Sequence, residues 1–450
     1  MPVPASAPRP IHPMIFSRAN LGTFFTSLAI QACGVVTGIL TARILGPSGR
    51  GELATVLLWP IILSNLGLMG CNWALARGVA ENPGTEPDQV CSAIAVGLAA
   101  SFAYSMLGYF LIPLVLPADR AGLLPLARLC LLLIPLDIFN QTLLAIEHGR
   151  MRWRRFNVVR GSFYLFYLIL ICLIWAGREA QLQRFVWAFL ASQVLAVLLR
   201  LWVQRKSFAN GRPSMAQGRR LLRSGLPYWG ATAGNLFALQ IDTVLVVSLM
   251  SAEAAGIYAV ASAFGNAQFS LGDALGITSF AALSNEKDAR NQRIILTETF
   301  RQSTLLSAGL ALLLSCLIPF VVTPFFGTAF SQATLPAVIL ALSAALTASG
   351  NILNQGLRGA GRPYAGLAGQ LIGSAVLALA AVLLLKPFGL VGMAWAVALG
   401  AAAQITVLVA SAANWLRISP LHFWPFGAGN IRNFFQQVAA LRPRILRSPA

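Results

Sequence analysis

Apolar residues fall in runs of about twenty along almost the whole chain, separated by short gaps that hold most of the charge. A run of that length crosses a bilayer as an α-helix, because its backbone polar groups are then bonded within the segment. The pattern predicts twelve such helices, at 20–42, 53–76, 90–116, 122–146, 157–177, 183–204, 226–250, 256–281, 303–326, 333–356, 365–386 and 389–413. The border between the third and fourth is crowded with Pro113, Pro117, Asp119, Arg120 and Pro125.

With twelve crossings, alternate gaps lie on opposite faces, so the basic residues test the count. One face collects 26 of the 33 Lys and Arg residues, and the other only Arg43, Arg50, Arg120, Arg128, Arg178, Arg184 and Lys386. The basic face is therefore expected to be cytoplasmic, with both termini on it.

A short Gly/Pro turn, Ala42-Arg-Ile-Leu-Gly-Pro-Ser-Gly-Arg-Gly-Glu-Leu-Ala54, links the first two runs, and Met250-Ser-Ala-Glu-Ala-Ala-Gly-Ile-Tyr-Ala-Val260 repeats the construction. An offset of 205 places Gly51 on Gly256, Leu53 on Tyr258 and Ala54 on Ala259, and Arg152 is echoed at Arg362. This is an internal duplication. Six spans per copy is an even number, so the copies enter the membrane in the same sense and a pseudo-two-fold axis should run along the membrane normal. The expected organisation is a tail (1–19), an N-terminal bundle (20–204), a basic linker with an interfacial helix (205–225), a C-terminal bundle (226–413) and a basic interfacial tail (414–450). In that tail Ile431, Phe434, Phe435 and Val438 share one helical face.

Composition narrows the class. Charged residues make up 10% and hydrophobic residues 57%, with mean hydropathy +0.71, whereas soluble domains carry about 25% charge. The net charge of +19 comes from the gaps between spans and marks membrane orientation, so no nucleic-acid partner is expected. Six scattered cysteines form neither a disulfide framework nor a zinc pattern.

Polar side chains inside the spans carry the candidate chemistry. An acidic or basic group at mid-bilayer costs about 2.5–3.5 kcal/mol on insertion scales and normally faces a cavity or a partner. Polar stripes at helical spacing occur as Asn65 and Asn72; Asp137, Asn140 and Gln141; Asn235 and Asp242; Ser262, Asn266 and Asp273; and Thr347, Asn351, Asn354, Gln355 and Arg358. Together they predict a water-accessible cavity between the halves. The competing role for any single amide is an interhelical hydrogen bond, at about 0.6 kcal/mol. Asp242 is the candidate for ion coupling, against the alternative of a permanent ion pair with Arg358 or Arg43. Arg43, Arg77 and Arg128 lie near span ends, where snorkelling is the default. Gly34 and Gly38 predict a close-packing face. No phosphate loop or catalytic histidine set is present, so neither an enzyme nor a cofactor is expected.

The motif Ala42–Ala54, Leu226-Pro227, Gln240-Ile-Asp-Thr243 with Gly256-Ile-Tyr-Ala259, and Leu357-Arg-Gly-Ala-Gly-Arg362 resemble the polysaccharide (O-antigen-type) flippases of the multidrug/oligosaccharidyl-lipid/polysaccharide exporter superfamily. The likeness runs from Arg18 to Arg417; Ser251-Ala252 departs from a commoner Gly-containing turn. It implies a V-shaped pair of six-helix bundles working by alternating access in the bacterial cytoplasmic membrane. The cargo it implies is an undecaprenyl-diphosphate-linked oligosaccharide bound for lipopolysaccharide or exopolysaccharide, with H+ or Na+ as the coupling ion. A polymerase and glycosyltransferases are the implied partners beside the membrane lipids. A diphosphate wants guanidinium groups, which brings Arg43 and Arg77 into the cavity set beside Arg358, and the Asn/Gln stripes suit a sugar chain. The alternatives are a cation-coupled drug antiporter of the same superfamily and a non-transporting component of a polysaccharide-synthesis complex.

Overall fold

The structure, a computed structural model, describes residues 18–436 except 82–85, 179, 206–210, 269–271, 273–275, 277, 278, 281, 284, 285, 287, 428 and 433–435. The chain forms helices α1 (Arg18–Gly67), α2 (Cys71–Glu81), α3 (Glu86–Val115), α4 (Ala118–Gly149), α5 (Trp153–Ala176), α6 (Leu182–Gln204), α7 (Met215–Leu249), α8 (Ala252–Asn266), α9 (Ala289–Phe326), α10 (Thr328–Gly359) and α11 (Pro363–Leu416). Short 3-10 and π turns are folded into α4, α9 and α10.

Two of these helices are double. A straight 50-residue helix would be ~75 Å long, far beyond a hydrocarbon core of about 30 Å. Gly46 (φ 66°, ψ −177°) breaks α1 into two limbs, and Gly389 (φ 55°, ψ −133°) breaks the 54-residue α11. Both take the left-handed region that a residue with a Cβ avoids. Eight apolar stretches are long enough to cross a membrane. Counting the two doubles twice and adding α7 and the helix that begins at Ala252 gives the twelve spans of the hydropathy pattern. Phe102, Leu114, Phe320 and Leu379 are all more than half exposed, an apolar exterior of the kind that lipid covers. This is a multi-pass membrane protein.

The duplicated motif shows how the halves meet. A Cβ added to Gly51 would lie 1.7 Å from the Ala252 carbonyl oxygen, and one added to Gly256 would lie 1.9 Å from the Pro47 carbonyl oxygen. The 205-residue offset carries Pro47 to Ala252 and Gly51 to Gly256, so the two contacts are images of each other. Reciprocal contacts of this kind are the signature of a two-fold relation. The related turns touch at one face, which puts the axis along the membrane normal; an in-plane axis would send them to opposite faces.

The cores are distributed unequally between the two faces. Near the basic-poor face one apolar cluster joins both halves: Ala42, Leu58 and Ile62 pack with Val246, Val247, Ile257 and Tyr258. Near the basic face the clusters separate. One holds first-half residues such as Leu75, Val90 and Ile146, joined only by Leu221 of α7. The other, around Phe300, Leu353 and Leu408, holds only second-half residues among those described.

Three local expectations change. Gly34 and Gly38 are not a packing face, since an added Cβ would meet nothing within 4 Å at either. The described part of the linker from Met215 is helical and continuous with α7, which runs unbroken through Pro227. The second span is interrupted at Met69 (φ 47°) and Gly70 (φ 69°), where a Cβ on Gly70 would lie 2.2 Å from the Gly225 carbonyl oxygen. Helix α7 thus lies tightly on the second span, and Trp229 Nε1 donates to the Leu66 carbonyl at 2.9 Å. Phe434, Phe435 and Val438 of the interfacial stripe, and the tail through Ser17, lie outside the described residues.

Candidate functional site

The last carbonyls of an α-helix have no partner within the helix and carry its negative dipole end. On the basic-poor face two arginines answer such carbonyls across the seam. Arg43, at the end of the first span, donates through Nε to the Phe325 carbonyl at 2.7 Å and through Nη2 to the Pro324 carbonyl, both at the end of α9. Arg120, in the opening turn of α4, donates through Nη1 to the Val247 carbonyl at 2.9 Å and through Nη2 to the Met250 carbonyl, both at the end of α7. It also donates to Thr55 Oγ1 at 2.9 Å, and Asp119 lies 3.5 Å from its Nε. The 205 offset carries Arg43 to Ser248 and Arg120 to Phe325, so these are two copies of one contact with the arginine supplied from opposite partners. Arg120 is buried and Arg43 exposed.

These contacts close the basic-poor face with charge-assisted bonds from one half to the other. Arg43 is thereby a seam residue rather than a snorkelling one. Arg128 lies with its guanidinium 4.2 Å over the Tyr109 ring.

A second polar group lies inside the first half. Ser64 Oγ donates to Asp137 Oδ2 at 2.9 Å, Gln141 also bonds that carboxylate, and Arg200 interacts with it electrostatically. Arg200 is itself buried and donates to the Val159 carbonyl at 3.0 Å. The buried Asn140 Nδ2 donates to Gln193 Oε1 at 2.5 Å. This part of the fourth-span stripe ties α4 to the second span and to α6, so Asn140 acts as interhelical glue.

The second half holds its own carboxylate. Tyr258 donates its hydroxyl to Asp242 Oδ2 at 2.6 Å. Oδ1 accepts from the Thr243 backbone N–H at 2.7 Å and from Thr243 Oγ1 at 3.3 Å. The partner found is a phenol, and neither Arg358 nor Arg43, the partners of the alternative ion-pair reading, is bonded to Asp242. Asn354 is buried and packs so closely on the last spans that a Cβ on Gly366 would lie 1.8 Å from its Oδ1; it too is an internal contact.

The remaining candidates lie toward the basic face or in mid-span. Asn65 donates to the Ile61 carbonyl of its own helix at 2.8 Å. Arg77 is exposed, pairs with Glu81 at 2.7 Å and also bonds Tyr228 of α7. Asn72, Asn351, Gln355 and Arg358 are half-buried, and Asn266 is exposed at the end of α8. The side chains of Asn235 and Asp273 lie outside the described residues. Tyr258, Arg120 and Arg200 are the functional candidates that sequence reasoning missed. The first stood within a quoted motif, and the other two served only as charges for topology.

Residues 20–271 match the sequence model of a family described as polysaccharide biosynthesis protein. The chain belongs to this family. The matched segment carries both turns of the Gly51–Gly256 contact, Arg120 and Asp242, so every element just described except the end of α9 and the Asn354 region lies within the polysaccharide biosynthesis signature. No curated protein matches the chain in sequence. Among solved structures, a lipid II flippase, MurJ, in an inward closed conformation shares the fold with TM-score 0.73 at 15% identity, over 93% of each chain. A multidrug resistance MATE family transporter of the MOP superfamily in its inward-facing conformation gives 0.68 at 15% identity, over 92% of this chain and 98% of that one. The outward-facing conformation of a MATE family transporter of that superfamily, at the same identity and coverage, gives 0.62. This member of the polysaccharide biosynthesis family thus has the fold of the superfamily's transporters.

Proposed function

We propose that this protein turns an undecaprenyl-diphosphate-linked oligosaccharide from the inner to the outer leaflet of the bacterial cytoplasmic membrane by alternating access, for polysaccharide export. The observation that carries the reading is the seam: both halves share one core and two arginine bridges at the basic-poor face, while toward the basic face the described cores are separate and only the start of α7 reaches across to the first half. With the basic face cytoplasmic, this is a state sealed from outside, the form in which a lipid-linked cargo made in the cytoplasm would enter. The better likeness to an inward-facing than to an outward-facing transporter supports the same sidedness. Arg77 and Arg358, toward the basic end, suit the diphosphate, and Asn72, Asn351 and Gln355 suit sugar hydroxyls.

The test is a flipping assay. In proteoliposomes holding an undecaprenyl-diphosphate-linked oligosaccharide in both leaflets, an impermeant sugar oxidant should consume only the outer pool without protein and nearly all of it with protein. Oxidation that stops at the outer pool in both cases would remove the reading. Efflux of a cationic dye from the same vesicles would favour the antiporter instead.

Asp242 is the coupling group in this scheme. Its carboxylate is held by one phenol and one threonine, with no guanidinium bonded to it among the described residues. The expected result for Asp242→Asn is normal abundance with transport that no longer responds to an imposed H+ or Na+ gradient. Tyr258→Phe should keep coupling but alter its dependence on ion concentration. Loss of the protein from the membrane in Asp242→Asn would mark the carboxylate as structural.

A further inference from the structure

The turn that leaves α4 at the basic face is built a second time at the end of α10, 210 positions on. The Arg152 N–H donates to the Glu147 carbonyl at 3.2 Å, and the Arg362 N–H to the Leu357 carbonyl at 2.8 Å. The Met151 and Gly361 N–H groups donate to the His148 and Arg358 carbonyls, both at 3.0 Å, and both residues take positive φ, 52° and 77°. A Cβ on Gly149 would stand 2.4 Å from the Ala76 carbonyl oxygen, and one on Gly359 2.5 Å from that of Phe280. Two side chains break the likeness. Where the second copy has Leu357, 1% exposed, and Ala360, the first has Glu147, 0% exposed, and Arg150. A turn that closes around leucine does not need a carboxylate.

Neither carboxylate oxygen of Glu147 accepts a hydrogen bond among the described residues, and a buried acceptor left so is costly, more so when charged. The Arg150 guanidinium is close, with Nη1 3.5 Å from Oε1, but its hydrogen bonds go to another residue. Its Nε donates to Glu86 Oε2 at 3.1 Å and its Nη2 to Glu86 Oε1. Two carboxylates thus flank one guanidinium, one holding its hydrogen bonds and the other holding none.

Glu86 leads to the second half. It opens α3, whose first turns hold the linker: Asp88 Oδ1 accepts from the Arg212 N–H at 2.8 Å and Ser92 Oγ from the Ser214 N–H at 3.0 Å. A Cβ on Gly211 would stand 2.5 Å from the Pro87 carbonyl oxygen. From Met215 the chain is α7, whose far end meets Arg120 at the seam. The Arg150–Glu86 pair therefore fixes the end of α4 to the segment that tethers the second half.

We infer that Arg150 is a two-position latch. It holds Glu86 in the state sealed from outside and passes to Glu147 when the basic face closes, which frees the first turn of α3 and the linker to move with α7. The inference rests on the alternating-access reading and adds to it a device at the face opposite the seam. The two carboxylates are unequal in a useful way: the Glu86 side chain is 12% exposed and reaches water once released, whereas that of Glu147, at 0%, depends on Arg150 alone. Each form then has a gain the other lacks, as a bistable element requires.

The test uses the full-length protein in proteoliposomes, free of native cysteines, with Ile62→Cys in the shared core as the reporter for an impermeant maleimide added outside. Glu147→Leu gives the first turn the side chain of the second. It should keep thermal stability at or above the parent's, because an apolar side chain replaces a buried charge without hydrogen bonds. Labelling and glycolipid flipping should each fall about tenfold, as losing a charge-assisted bond from one of two states shifts their ratio. Glu86→Gln releases Arg150 to Glu147 and should speed the labelling. Opposite shifts from two carboxylates on one arginine distinguish a latch from a static ion network, in which both changes loosen the same contact.

Shifts in the same direction, or parent labelling in Glu147→Leu, would overturn the inference. Glu147→Gln, which keeps the side chain's shape, should slow labelling alike; if leucine alone lowers stability, the glutamine variant decides by the same criterion. Loss of stability in both would make the carboxylate structural and overturn the inference as well. Flipping at the parent's rate in Glu147→Gln would remove the latch and leave the flippase reading standing. Opposite labelling shifts in a protein that flips no glycolipid would sustain the latch and remove that reading.

Discussion

Gly256→Val is expected to leave a folded protein that no longer seals its outer face and no longer transports. The glycine faces the Pro47 carbonyl oxygen at a distance where a Cβ would stand 1.9 Å away. The obstacle is backbone, which cannot swing aside as a side-chain tip can. Overpacked contacts cost about 1–3 kcal/mol, and at the top of that range the closed form falls about a hundredfold relative to the open one. An otherwise cysteine-free protein carrying Ile62→Cys reports the change, because Ile62 is buried in the shared core. An impermeant maleimide applied from outside should label it slowly in the parent and rapidly in Gly256→Val. Gly51→Val should behave alike through the image contact, whereas Gly38→Val, with no neighbour within 4 Å, should not. A sealed and active Gly256→Val protein would mean that the halves do not meet at this pair.

Arg120→Leu should open the same face by a different route. The substitution leaves the Val247 and Met250 carbonyls without their cross-seam donor, together with Thr55, at about 1–3 kcal/mol for each buried group left unsatisfied. Faster labelling at position 62 and a transport rate at least tenfold lower are the expected outcome, about 1.4 kcal/mol or more of lost closed state. Lysine reaches fewer acceptors than the guanidinium fork, so Arg120→Lys should fall between parent and leucine. Arg43→Leu should shift labelling in the same direction by less, since Arg43 is exposed and water competes for its bonds. Unchanged labelling in both arginine variants would remove the bridges from the closure.

The scaffold could be read from the sequence because membrane helices obey local rules. Twenty apolar residues make a span wherever they occur, and a turn motif repeated at 205 positions fixes the symmetry before any contact is known. Partner choice has no such local signature. Asn140 and Asp242 look alike as polar points on apolar helices, yet one meets Gln193 across a helix pair and the other a tyrosine. Periodicity says that Asn354 and Gln355 lie near a common face; it does not say that one is buried against Gly366 and the other half-buried. Arg120 counted correctly toward membrane orientation, but its role depends on the end of α7, which is 127 residues away in sequence. The glycines divide in the same way: Gly34 and Gly38 match a packing motif and touch nothing, while Gly51 and Gly256, seen only as turn residues, form the tightest approach between the halves.

Across the seam, both arginines are held by main-chain oxygens. Any residue at 247, 250, 324 or 325 presents the same carbonyl, so the bridging positions have no particular side chain to co-vary with. Related sequences would then preserve the closure while leaving no trace of it in paired substitutions. The cross-seam acceptors also cannot be protonated within any physiological range and the donors are permanent cations, so these bonds themselves are indifferent to acidity. A gradient that drove the proposed transport would have to act elsewhere and reach the seam as mechanical displacement of α7 and α9.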